Sequence, residues 1–273
     1  MIASSARSIA VTPVLVAIIG LVALPAAAQT GAASAPAYTP PRTANGSPDL
    51  QGIWQAVNSA SDDIESHPAL KGVTAGLSVV EGNVIPYQPS AATRKKENFE
   101  NRLTADPLTK CVMPGVPRIT YLPYPFQILE FPDLVVMVYE YLHLTRYIFM
   151  DGSPAPDPDV VDFYMGYSRG RWEGNTLVVE TTNNNSETWF DRAGNFHSDA
   201  LRVTERYTRT GPDHIAYAVT IEDPKVFTRP WKINMPLYRR QETGLRLLEY
   251  ECYVYREEEL GQAEAAAEGA KGK

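Results

Sequence analysis

Over the second half of the chain, apolar and polar residues alternate with a period of two, as in strands that bury one face. Leu201, Val203, Glu205 and Tyr207 share a face in a segment that runs to Arg209. Residues His214 to Glu222 repeat the pattern, with Gly211-Pro212-Asp213 as the turn between the two. The clearest unit is Tyr167 to Thr182. Its two arms, 167–172 and 176–182, are rich in aromatic, β-branched and hydroxyl side chains, and Gly174-Asn175 between them suits a tight hairpin turn. Further strands are predicted over Leu134 to Leu144 and over Thr145 to Met150, which leads into Asp151-Gly152. A last pair is predicted from Trp231 to Arg239 and Leu245 to Tyr255, joined around Gly244.

The remainder is less regular. Ala91 to Leu103 reads as a short amphipathic helix, with Phe99 and Leu103 four apart. The stretch from Cys111 onward carries Pro114, Pro117, Pro123, Pro125 and Pro132, which predicts an extended strap and excludes both helix and central strand. Asn183-Asn184-Asn185-Ser186 breaks the strand pattern, and Thr188 to Ser198 reads as an irregular excursion turning at Ala193-Gly194-Asn195. Seven or eight antiparallel strands joined by short turns predict an all-β fold. An up-and-down barrel with an irregular N-terminal cap and little helix is preferred, and a two-sheet sandwich is the alternative. The predicted core includes Trp54, Val136, Val138, Ile148, Trp172, Val178, Val203, Val219 and Ile221.

Composition adds an address. Within the first 28 residues Arg7 is the only charge, an apolar run extends from Val14 to Leu24, and Ala26-Ala27-Ala28 supplies small residues for cleavage. This predicts a signal peptide and a periplasmic or secreted protein, with no membrane insertion after cleavage. Residues 29–48, rich in Ala, Pro, Thr and Ser, read as a disordered linker; 49–256 as one barrel domain; and 257–273 as an acidic, Ala-rich tail. The net charge of −7 disfavours nucleic acid and anionic membrane surfaces as partners. In an oxidising compartment Cys111 and Cys252 form one disulfide or remain two buried thiols. His67, His143, His197 and His214 show no ligand spacing with each other or with the cysteines, so no metal site is expected.

Several stretches carry a resemblance. P-D-L-Q-G-I-W (48–54), C-V-M-P-G-V-P-R (111–118), R-Y-I-F-M-D-G (146–152), G-Y-S-R-G-R-W-E-G-N-T-L-V-V-E-T (166–181), E-R-Y-T-R (205–209) and I-E-D-P (221–224) resemble a large family of exported bacterial proteins, most without an assigned activity. The chain departs from that pattern at Tyr167, Asn175 and Ser153, where the family tends to carry His, Asp and Arg. More distantly, Gly52-x-Trp54 and the central hairpin resemble lipocalin-type and fatty-acid-binding-type barrels. That likeness implies a lipocalin-like barrel and suggests ligand binding.

Candidate chemistry follows from the alternation. Glu205 shares its face with apolar residues, and Arg146 shares one with Ile148, so both charges need a partner or a ligand. One reading makes Arg146 and Glu205 the polar anchors of a cavity walled by Tyr217 and Trp231; the other makes them a structural ion pair. In the 188–198 excursion, Asp191 and His197 beside Trp189, Phe190 and Phe196 are acid/base candidates, or ordinary turn residues. No nucleophile elbow, phosphate loop, dinucleotide fingerprint or H-E-x-x-H occurs, and no cofactor is expected. The leading expectation is a protein that binds a small apolar or aromatic molecule in its barrel. The alternatives are a cofactor-independent lyase, isomerase or hydrolase using His197 and Asp191, and an envelope interaction module with a filled barrel.

Overall fold

The computed structural model of the protein describes residues 38–254; the expected signal peptide and acidic tail lie outside them. The strands are β1 (Gly52–Ala56), β2 (Phe126–Phe131), β3 (Leu134–Tyr139), β4 (Thr145–Phe149), β5 (Tyr167–Glu173), β6 (Thr176–Thr182), β7 (Arg202–Gly211), β8 (His214–Glu222) and β9 (Trp231–Arg239). They form a closed barrel in sequence order. Neighbours in a ring of nine cannot all be antiparallel, because alternation around an odd ring must fail once. It fails at β4–β5, which is parallel and has the shortest ladder, Ile148 opposite Ser168 and Phe149 opposite Arg169. All the other neighbours, β9 with β1 included, are antiparallel. A tight hairpin cannot join parallel strands, and the chain between β4 and β5 is accordingly a long connection over residues 150–166.

Strand parity assigns the interior. On β9 the burial alternates without a break, with Trp231, Ile233, Met235 and Leu237 buried. On β7 the inward set is Val203, Glu205, Tyr207 and Arg209, so a carboxylate and a guanidinium share the face with apolar residues. Trp54, Ile148, Val203, Val219 and Ile221 lie in the core, whereas Val138 and Trp172 are only half-buried. On β3 the buried residues Val135, Met137 and Tyr139 belong to the core, one position out of phase with the predicted Val136 and Val138. Val178 is buried on the outer face, between its register partners Arg171 and Arg206.

Four local expectations are corrected. The proline-rich strap contains strand β2, paired on both sides, and a buried helical turn at Arg118–Tyr121. Pro123 and Pro125 precede the strand and Pro132 follows it, so none removes a ladder hydrogen bond. The predicted strand Leu134 to Leu144 ends at Tyr139 in a turn where Leu142 and His143 take positive φ without any glycine. Of the predicted strand Leu245 to Tyr255, Tyr255 lies outside the described residues, and 245–254 add no strand to β9, because β8 and β1 already occupy both of its edges. Part of the expected linker, residues 38–48, is folded. Arg42 bridges to Pro48 and Nη2 of Arg42 donates to Asn175 Oδ1, while Ser47 Oγ donates to Glu130 Oε2 at 3.0 Å. The predicted helix is present as α1 (Pro89–Glu100) followed by the short α2 (Arg102–Ala105); the turn at Arg118–Tyr121 is α3.

Cys111 and Cys252 form a disulfide that spans 141 residues of sequence. It ties the segment after β9 to the loop before α3. Closing so long a loop restricts the unfolded chain, which stabilises the fold by about 4 kcal/mol. Replacing both cysteines with serine is expected to lower the unfolding free energy by that order in a urea titration. An unchanged midpoint would show that the staple adds nothing to the fold.

Candidate functional site

A charged cluster in the barrel interior is assembled from five consecutive strands. Arg146 of β4 donates from Nε to Ser168 Oγ of β5 at 2.9 Å and from Nη2 to Thr181 Oγ1 of β6 at 2.8 Å. Its Nη1 and Nη2 both donate to the Glu205 carboxylate of β7, the former at 3.2 Å. Glu205 Oε1 also accepts from the hydroxyls of Tyr207 (2.8 Å) and Tyr217 (2.7 Å), the latter on β8. Arg146 is 3% and Glu205 0% exposed, so the pair is shielded from water. Burial disfavours the charged guanidinium, but the Glu205 carboxylate prevails and holds Arg146 well above its ordinary pKa. Burial and the same carboxylate push Tyr207 and Tyr217 well up, so both remain phenols that donate.

Of the two readings of Arg146 and Glu205, ligand anchors or a structural ion pair, the geometry is that of the ion pair. Ser168, Thr181, Tyr207 and Tyr217 supply most of the pair's remaining hydrogen bonds, which leaves little for a ligand. The cluster also bridges the parallel seam, since Arg146 and Ser168 stand on its two sides. A buried pair of this kind is weak evidence of net stabilisation, but removing one partner leaves an uncompensated charge.

A cleft of about 440 Å³ opens where β4 and the chain entering β5 diverge. Its lining includes Arg146 and Ser168, both almost fully buried, and the aromatic residues Tyr147, Phe149, Phe163 and Tyr167. Phe149 and Tyr167 stack with ring centroids 5.0 Å apart, and Phe163 lies 6.3 Å from Tyr167. Tyr147 is 53% exposed. Local sequence fixes this wall. Asn183, at positive φ, donates from Nδ2 to the carbonyls of Pro156 and Val161, and Phe163 pairs with Asn184. Gly166 has φ +62° and no room for a Cβ, which would lie 2.4 Å from Thr181 Cγ2. The asparagine run that looked like a mere break in the sequence is thus the anchor of the cleft loop.

Most of the 188–198 excursion is buried, Arg192 and Ser198 being the partly exposed exceptions. His197 Nδ1 bonds to the Ser198 carbonyl at 2.9 Å, which requires the proton there, so Nε2 accepts from Thr188 Oγ1 at 2.7 Å. Burial lowers its pKa. Asp191 accepts from the backbone N–H groups of Ile64 and Asn195, each at 3.0 Å, and from Asn195 Nδ2 at 2.6 Å. Asp191 and His197 thus use separate partners, and both are at most 1% exposed. Trp189 pairs with Phe196, and Trp231 packs edge-on against Phe190 and Phe227 at 5.6 and 5.3 Å, away from the Arg146 cluster. Sequence reasoning missed Tyr147, Phe149, Phe163 and Tyr167. Their signals were that Tyr147 and Phe149 alternate out of phase with Arg146 and Ile148, and that Tyr167 stands where the resembled family tends to carry His. Among the described residues no three His, Cys, Asp or Glu side chains come together as a metal site. In comparison with known proteins, the chain matches no family model and no curated sequence.

Two outcomes follow from the buried charges. Glu205→Gln leaves Arg146 charged and buried, and is expected to cost about 3–5 kcal/mol in a denaturant melt. Glu180→Gln, which loosens an exposed pair with Arg171, should cost about 1 kcal/mol or less. Similar losses in both would contradict a special role for the interior pair. Asp191 is pushed up to about 7 by burial and by the nearby Asp63 carboxylate. The folded state therefore keeps a proton that the unfolded chain releases near pH 4, and this contribution is lost as pH rises from there to about 7. The stability difference between wild type and Asp191→Asn should change over that window by several kcal/mol, on the order of 4, and be flat above it. A difference independent of pH would show that Asp191 is already ionised in the fold.

Proposed function

We propose that the protein is a binding barrel for a small apolar or aromatic molecule, and that the ligand lies in the seam cleft between β4 and β5. The observation that carries this reading is the aromatic wall of Tyr147, Phe149, Phe163 and Tyr167 around a cleft of about 440 Å³. Ligand sites are typically concave, mostly apolar and hold a few polar groups. The volume falls within their usual range of roughly 300–1,000 Å³. The barrel interior is a poorer host, because its charged cluster is already bonded to its own tyrosines, serine and threonine. A catalytic role for His197 and Asp191 finds no support in their separate, buried partners. The proposed setting is outside the cytoplasm, and the Cys111–Cys252 disulfide supports an oxidising compartment. Membership of the exported bacterial family rests on the sequence motifs and remains part of the same proposal.

The seam reading is tested by titrating the protein with the neutral fluorophore N-phenyl-1-naphthylamine. Saturable binding is expected, weakened about tenfold in Tyr147→Ala and Phe163→Ala, which each remove a large aromatic face worth about 1–2 kcal/mol. Both side chains are at least 36% exposed, so the fold should tolerate the changes. Absence of saturation, or equal affinity in both variants, would overturn the assignment.

A further inference from the structure

A second cleft, of about 560 Å³, shares no residue with the seam cleft and is more polar, although Leu108, Leu122 and Pro123 also line it. Its floor is an ion pair between Arg118 of α3 and Asp106, each at most 1% exposed. Nη1 and Nη2 of Arg118 donate to the two carboxylate oxygens, both at 2.8 Å. A second pair, Arg192 with Asp62 at 3.4 Å, stands nearer solvent. Ser59 and Ser61 add hydroxyls to this polar side.

Tyrosines form another part of the wall. The rings of Tyr124, Tyr141 and Tyr250 lie 4.6 to 5.4 Å from one another. Tyr250 comes from the segment after β9, which is held across the β3–β4 turn. Leu142 N donates to the Tyr250 carbonyl at 3.0 Å, Leu248 N donates to Glu140 Oε2 at 2.8 Å, and the disulfide at Cys252 fixes the segment beyond. The segment after β9, expected to be a strand, thus forms a strap that walls a cleft.

The lining decides between ligand classes. Its four charged residues are already paired as two neutral couples, so an anion or a cation would find no unpaired opposite charge there. An apolar molecule would cover the exposed groups of Asp62, Arg192 and the serines without replacing their hydrogen bonds to water, which is costly. A polyhydroxylated molecule meets both demands. Neighbouring hydroxyls can donate to a carboxylate and accept from the adjoining guanidinium, and the C–H face of a sugar ring can rest on an aromatic one. Burial pushes Tyr141 up to about 12, so it stays a phenol able to join such a network. We propose that this cleft is a carbohydrate-binding site, with Asp62 and Arg192 addressing hydroxyls and Tyr250 presenting the aromatic face. The site is independent of the seam assignment.

Calorimetric titration with maltotriose, cellotriose and chitotriose, each alone, tests it. At least one should bind saturably with a Kd of about 1 mM or tighter. Asp62→Asn, which keeps the side chain's shape but halves its acceptors, and Tyr250→Leu, which keeps an apolar contact but removes the ring, should each weaken it tenfold or more. No saturable binding of any of the three up to about 10 mM would overturn the proposal. So would an unchanged affinity in Asp62→Asn, a variant that leaves the strap in place.

Discussion

A closed ring of nine strands must contain one parallel step, and in this barrel the Arg146–Glu205 ion pair spans it from inside. The β4–β5 ladder offers two residue pairs, too few to hold a barrel wall by backbone bonds alone. Arg146 supplies what the backbone lacks, reaching Ser168 across the seam, Thr181 on the next strand and Glu205 on the one after. Tyr207 and Tyr217 then satisfy the carboxylate, so the charge is buried with its partners rather than against them. Gly170 on β5 completes the closure, since a Cβ there would lie 2.8 Å from Ile148 Cγ2 and 2.4 Å from Met150 Sδ.

The same constraint produces the surface features. A parallel step needs a long connection, and residues 150–166 supply it with Pro154, Pro156 and Pro158. The connection must return over the barrel wall, and Asn183 and Asn184 hold it there. Between that returning chain and β4 lies the aromatic cleft. The closed ring also leaves no ladder for the chain beyond β9. That chain instead becomes the strap that walls the polar cleft, fixed by Cys252.

The barrel itself was legible in the sequence because alternation and turn residues are local. The central hairpin lies at Tyr167–Glu173 and Thr176–Thr182, where Gly174-Asn175 placed it. Glu205 and Arg146 stood out because each occupies the apolar face of its strand. What the sequence could not carry was set by pairing at a distance. Strand β2 was hidden among prolines that flank it rather than interrupt it. The turn after Tyr139 has no glycine to mark it, with Leu142 and His143 taking the positive φ instead. Whether Arg146 and Glu205 would meet each other or a ligand depends on the strand number, 59 residues apart in sequence. The aromatic cleft needed the parallel step, which no local pattern announces. His197 looked poised for proton transfer because histidine usually is, yet Thr188 and the Ser198 carbonyl occupy both of its nitrogens.

The most direct test of the seam account is residue-resolved amide hydrogen exchange of Arg146→Met beside the wild type. If the buried guanidinium holds the parallel step, protection should fall selectively in β4 and β5, while β7, β8 and β9 keep theirs relative to global stability. A uniform loss over all strands, or unchanged protection at the seam, would contradict it.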